Sequence, residues 1–185
     1  MRYAFAGDRA ISVQVLRYMM KCGYLPSALL VSEGSRASHA KELRALSGLP
    51  EDLIFVGKSF IQPEVPKKLK ALQLDYIIGI HFPYVAPPSV LEIPSVGVLN
   101  LHPAYLPFNK GWHTPSWAIL DGTPYGATLH FMDEALDQGD IIHQKELTVY
   151  AWDTAESLYQ RALQLEFEVF EEAFEQLVTL RPCRK

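Results

Sequence analysis

An alternation along the first hundred residues constrains this chain more than any other feature. Short apolar segments at residues 2–6, 27–31, 53–56, 76–80 and 96–101 are separated by helix-like stretches at 11–20, 37–46 and 63–72. A half-exposed antiparallel strand alternates apolar and polar residues, whereas these segments are apolar on both faces. They imply a mostly parallel sheet covered by helices on both faces. The expected fold is one Rossmann-like α/β domain over residues 1–185, with no linker, repeat or boundary inside it. In such sheets ligands sit outside the carboxyl ends of the strands. That rule gathers Gly7-Asp8, the segment 81–84, and Asn100 to His102 along one rim. There is no G-x-G-x-x-G after the first strand and no P-loop, so nucleotide binding of those kinds has no motif to rest on.

The second half reads differently. A short helix over 114–120 carries Pro115 in its first turn and Thr114 as its expected cap. Residues 126–132 and 140–149 alternate in the manner of strands, with the loop 133–139 between them. A long helix closes the chain, opening on a capping arrangement of Asp153 and Glu156. Leu158, Ala162, Leu165, Val169, Ala173 and Leu177 form its apolar stripe. Glu166, Glu168, Glu171, Glu172 and Glu175 form the expected solvated face. Residues 181–185 are expected to fray.

Composition narrows the function classes. The net charge is −4, opposite in sign to what a nucleic-acid-coating surface needs, so no nucleic-acid partner is expected. No apolar run is long enough to cross a membrane. The first residues resemble a strand and not a signal peptide. Two distant cysteines, Cys22 and Cys183, give no disulfide framework, and a cytoplasmic setting is the expectation.

The chemistry concentrates in residues 96–110. Asn100 and His102 are two apart at the end of an apolar strand, so they share one face. Pro103 ends the strand at once. An amide can donate to a developing oxyanion, and an imidazole beside it can add charge or move a proton. The plainer alternative is an asparagine capping a turn and a satisfied strand-end histidine; the residues alone leave both open. Asp137 lies in a turn before Gly139, where aspartate commonly serves the backbone. It gains a chemical role only if its loop reaches Asn100 and His102, because a carboxylate beside an imidazole favours the charged ring. His81, His102, His113, His130 and His143 raise the question of a metal. None is paired with another at three or four residues on a helix, and none has a cysteine nearby, so no metal is expected. His130 and His143 can face each other across a hairpin, with a structural or substrate-lining role as the expectation. Lys110 can pair with a phosphate and Trp112 can stack on a ring, while Trp117 reads as core.

These residues together resemble a known family. Asn100-Leu-His102-Pro-Ala-Tyr-Leu-Pro107, then Gly111, then Gly126-Ala-Thr128-Leu-His130, then Leu136-Asp137-Gln-Gly139-Asp140-Ile141-Ile142, are similar to the 10-formyltetrahydrofolate-dependent formyltransferases. The resemblance is densest over residues 76–145. One departure is Ala104, where many members carry serine. The resemblance implies the formyltransferase fold and a catalytic set of Asn100, His102 and Asp137. It implies 10-formyltetrahydrofolate as formyl donor and tetrahydrofolate as product. The donor is expected to be held by Ile80, His81, Phe82, Pro83, Tyr84, Leu99, Met132, Asp133 and Ala135, much of it through backbone. Within the family the stretch 109–128 looks more like sugar N-formyltransferases than like purine enzymes, and the formylation domains of peptide synthetases look similar too. That implies a nucleotide-linked amino sugar as acceptor, with Asp8, Arg9, Tyr105, Lys110, Trp112, His113 and Thr114 as expected substrate contacts. Another small amine, such as glycinamide ribonucleotide or a peptide-synthetase-bound amino acid, is the alternative within the class. A metal-assisted hydrolase or a silent folate-binding module is the alternative outside it. A homodimer through the C-terminal helix is an open expectation.

Overall fold

The computed structural model describes residues 1–185, except for the side chain of Arg36. Its strands form one seven-stranded sheet in the order β3-β2-β1-β4-β5-β6-β7. The chain's contacts gather into two compact units, Met1–Asn100 and Leu101–Lys185. The division falls inside β5 (Gly97–His102), where the sequence offers no boundary signal.

In the first unit the expected alternation of strand and helix appears. β1 (Tyr3–Gly7), β2 (Ala28–Val31), β3 (Ile54–Val56) and β4 (Tyr76–Ile80) are separated by α1 (Ala10–Lys21), α2 (Ala40–Ser47) and α3 (Glu64–Ala71). The short helix α4 (Pro88–Leu91) precedes β5. β1 pairs in parallel with both β2 and β4, with Gly7 opposite Val31 and Ile80. Every residue of β1, β2 and β4 is buried, as strands apolar on both faces require. The paired strands therefore end together at Gly7, Val31 and Ile80, which puts Asp8 and His81 at one rim.

The second unit is built on an antiparallel hairpin, β6 (Tyr125–Phe131) and β7 (Ile141–Leu147), preceded by α5 (Thr114–Asp121) and followed by α6 (Ala155–Val178). Leu129 stands opposite His143 and His130 opposite Ile141, with an irregularity between Leu129 and His130. The expectation that His130 faces His143 is thereby corrected: the bulge shifts the register, and His143 pairs instead with Glu172 of α6 at 2.8 Å. Ala118, Tyr125, Leu158 and Ala162 form a buried cluster joined by Leu147 and Val149.

All six residues of the expected α6 stripe are buried, and Phe170 joins them. Four expectations for this unit are corrected. Trp117 of α5, expected in the core, is exposed. Helix α6 is capped by Thr154, whose hydroxyl accepts from Ser157 N–H, and not by the pair Asp153 and Glu156. Glu166 is fully buried, not solvated. It lies four residues after Ala162 and four before Phe170, so helical periodicity turns it inward. The tail is not frayed: Lys185 and Ile141 exchange backbone hydrogen bonds of 3.1 and 2.9 Å. Among the described residues no helix is long and apolar enough to cross a membrane.

Phe170→Ala should destabilise the protein by about 3–5 kcal/mol, since the ring is fully buried. Glu171→Ala, one residue on and exposed, should stay within ~0.5 kcal/mol. Urea unfolding of the two variants checks the orientation of α6.

Candidate active site

In the second unit, β5 ends at His102 and Pro103 stops the strand. The chain then folds back through a loop fixed by Thr128. Its hydroxyl donates to Ala104 O at 2.7 Å and accepts from Leu106 N–H at 3.2 Å. Asn109 anchors the next turn, donating to Pro124 O and accepting from Thr123, both at 3.0 Å. Its carbonyl lies 3.3 Å from His102 Nε2.

The loop between β6 and β7 delivers Asp137 to the same place. Its carboxylate is nearly buried and accepts from Gly111 N–H at 2.9 Å. One oxygen lies 3.5 Å from His102 Nε2 and the other 3.7 Å from His130 Nε2. A carbonyl and a carboxylate both face His102 Nε2, so that nitrogen carries a proton. His130 has the opposite arrangement. Its Nδ1 lies 2.7 Å from Phe131 O, which can only accept, so Nδ1 carries the proton of the neutral ring. Its Nε2 lone pair then faces Asp137. Two acceptors meet there, and a proton delivered to either is shared by both. Burial holds the His130 pKa below its ordinary value, with the Phe131 carbonyl and the Asp137 charge acting in the opposite sense.

All three side chains are nearly buried, so the Asp137 carboxylate and His130 Nε2 face each other largely screened from water. Asp137 itself adopts a left-handed backbone, φ 49°, which aspartate tolerates better than most residues. At the neck of its loop an added Cβ on Gly139 would sit 2.0 Å from Phe131 O, so only glycine fits.

The first unit has its own strand-end rim. Asn100 is half-buried in β5. A Cβ added at Gly79 would lie 3.0 Å from Leu99 O, so Gly79 lets the backbone of β5 approach closely. Ser12 of α1 ties the ends of β1 and β4 together: its hydroxyl donates to Ile80 O at 2.6 Å and accepts from Asp8 N–H at 3.1 Å. Beyond Ile80, His81 takes a left-handed backbone, φ 51°. Phe82 and Tyr84 follow half-exposed, their ring centroids 5.0 Å apart and each tilted against Phe60.

The expected contact residues sort by exposure. His81, Phe82, Pro83, Tyr84, Tyr105, Lys110 and Met132 are half-exposed, and Trp112, His113, Asp133 and Ala135 are exposed. Ile80 and Leu99 are core residues. Two expected substrate contacts are corrected. Asp8 is fully buried and accepts from Arg9 and from the backbone of Ser38 and His39, so it orders the 38–39 turn. Thr114 is buried and donates to Pro103 O at 2.6 Å; it is the first residue of α5, and His113 holds the cap position. Sequence reasoning missed Asn109, Thr128 and the pairing of His130 with Asp137. The only signal for the last was His130 standing next to the hairpin's turn. Among the described residues no group of three or more His, Cys, Asp or Glu is placed to hold a metal ion.

Residues 28–174 match the family described as Formyl transferase. The chain is 29% identical over 168 residues to a methionyl-tRNA formyltransferase of Lachnospira eligens, covering 87% of this chain and 53% of that protein. It is 34% identical over 101 residues to a dTDP-4-amino-4,6-dideoxyglucose formyltransferase of Mycobacterium bovis, covering 55% of this chain and 42% of that one. The chain thus spans about half the length of these curated relatives. Among solved structures, a sugar N-formyltransferase from Shewanella sp FDAARGOS_354 superposes with a TM-score of 0.83 at 20% identity. That match covers 100% of this chain and 72% of the other, and it shows the shared fold.

Two outcomes follow. Gly139→Ala must displace Phe131 O, so the Gly111 amide, which depends on Asp137, should exchange its hydrogen faster while β6 keeps its protection. Acid should weaken the protein through His130. Above about pH 6.5 the ring is neutral in both folded and unfolded chains. As pH falls the unfolded chain takes the proton first, so stability drops until the folded ring also titrates. In His130→Asn, which keeps a donor for Phe131 O, thermal unfolding between pH 7 and 5 should show a shallower dependence on pH.

Proposed function

The chain belongs to the formyl transferase family, and on that premise we propose that it moves a formyl group from 10-formyltetrahydrofolate to the amine of a nucleotide-linked amino sugar. The observation that carries the proposal is the Asp137 carboxylate held 3.5 Å from His102 and 3.7 Å from His130. Formyl transfer to an amine needs two things: stabilisation of negative charge on the formyl oxygen, and removal of a proton from the attacking nitrogen.

The residues present suit the donor. Phe82 and Tyr84 offer half-exposed aromatic surface, which matches a flat heterocycle, and residues 133–136 are exposed beside Asp137 in sequence. Ile80–Tyr84 and residues 132–137 are proposed to hold it. When bound, it supplies an activated one-carbon unit at the formate oxidation level. Asn100 and the doubly protonated form of His102, two apart on one extended strand, donate hydrogen bonds to the oxygen on which charge builds. Asp137 stabilises the His102 ring as that charge develops. Asp137, sharing with His130 Nε2, takes the proton that leaves the amine, directly or through water. Lys110, Trp112 and Tyr105 are proposed to meet the nucleotide part of the acceptor. The likeness of stretch 109–128 to sugar N-formyltransferases, and 34% identity to an enzyme named for a dideoxy amino sugar nucleotide, support the sugar as acceptor.

Asn100→Ala, His102→Ala and Asp137→Ala should each lower turnover roughly 100- to 1,000-fold, the scale of losing a preorganised charge-stabilising group, with the fold retained by circular dichroism. The acceptor is tested with 10-formyltetrahydrofolate and a panel of nucleotide-linked amino sugars, glycinamide ribonucleotide and methionyl-tRNA, scored by the formyl mass increment. Product from glycinamide ribonucleotide or from methionyl-tRNA, with none from any sugar, would reject the sugar assignment.

A further inference from the structure

The neck of the Asp137 loop is gripped from outside by the end of the chain. Phe131 N–H donates to Asp140 O at 2.9 Å, which closes the neck from within. Over it lies Arg184. Its guanidinium sits 3.7 Å from the centre of the Phe131 ring, and its Nη1 lies 3.4 Å from Asp140 Oδ2. The backbone holds it there on both sides. Lys185 and Ile141 exchange hydrogen bonds, and Cys183 N–H donates to Gln176 Oε1 of α6 at 2.9 Å.

We infer that Arg184 is a positioning residue for Asp137. One side chain grips the residue immediately before the segment 132–139 and the residue immediately after it. Phe131 carries the carbonyl that orients His130, so displacing Phe131 turns the imidazole on one side of the Asp137 carboxylate. Asp140 follows Asp137 by three residues across Gly139, which has no room to move toward Phe131. Displacing Asp140 therefore moves the carboxylate itself. Arg184 is half-exposed and its ion pair is a surface one, so its effect on overall stability is small. The stacking geometry is of the favourable cation–ring type. What it sets is the fraction of molecules in which Asp137 stands against His102 and Gly111. The kinetic consequence rests on the formyl-transfer reading; the consequence for the loop does not.

The test uses the full chain and three variants: Arg184→Ala, Arg184→Met, which keeps an apolar stem without charge, and Arg184→Lys, which keeps the charge. Amide hydrogen exchange is read at Gly111 and across 133–138, with Ala127 and Leu129 of β6 as internal standards. Turnover and its pH profile are read in parallel. Arg184→Ala and Arg184→Met should speed exchange at Gly111 several-fold with the β6 standards unchanged. They should lower kcat on the order of ten-fold, inside the ~100-fold that a 1 Å misplacement can cost, and should shift the acid limb of the pH profile. Arg184→Lys should recover most of both. Unchanged exchange at Gly111 in Arg184→Ala and Arg184→Met overturns the inference, and so does an equal loss of protection throughout β6. A wild-type chain that transfers formyl to no amine, while Arg184→Ala still loosens Gly111, sinks the formyl-transfer reading and leaves the clasp standing.

Discussion

The structure turns on keeping one carboxylate both dry and paired. An ionised group taken out of water loses several kcal/mol of solvation unless donors replace it. Asp137 is almost fully covered, and its replacements are an amide, a protonated imidazole nitrogen and a second imidazole that can share an added proton. None of these lies on Asp137's own loop. Gly111 comes from the turn after β5, His102 from the end of β5, and His130 from β6. The unit from Leu101 to Lys185 is thus arranged so that three separate segments meet one short loop. A carboxylate held this way is ready to accept a proton without first reorganising water, which is the condition under which charged groups act most effectively in catalysis.

The same economy governs the first unit. Parallel strands that end together leave backbone groups unsatisfied at the rim, and polar side chains meet that need. Ser12 bridges the ends of β1 and β4, and Asp8 collects two amides from the 38–39 turn. Residues that look like ligand contacts in a list of polar positions are occupied in holding the rim together. The surface left open is aromatic instead, in Phe82 and Tyr84, at a point where His81 turns the backbone sharply out of the strand.

Much of this was legible from the chain. Strands apolar on both faces and helices between them led to the parallel sheet, because burial on two sides leaves no polar alternation to read. The spacing of Asn100 and His102 put both on one strand face, and the stripe of α6 fixed its buried side. The misreadings share a cause. The charge of Glu166 points to solvent, although its spacing from Ala162 and Phe170 points inward. The residue type of Thr114 suits a cap, but a nearby carbonyl, Pro103 O, claims its hydroxyl. The composition of residues 181–185 suits a frayed tail, but a backbone exchange with Ile141 far away in sequence orders it.

By itself the sequence determined which segments are strands and helices, which faces they bury, and which residue types are available for acid–base chemistry. These follow from local periodicity and from side-chain chemistry, and both are written within a few residues. Only the tertiary structure decided that Asp137 meets His102 and His130, that a bulge separates His130 from His143, and that Arg184 closes over the loop's neck. Those facts depend on hairpin register and on long-range backbone pairing. A shift of one residue in either would send each of these side chains elsewhere without changing a letter of the chain.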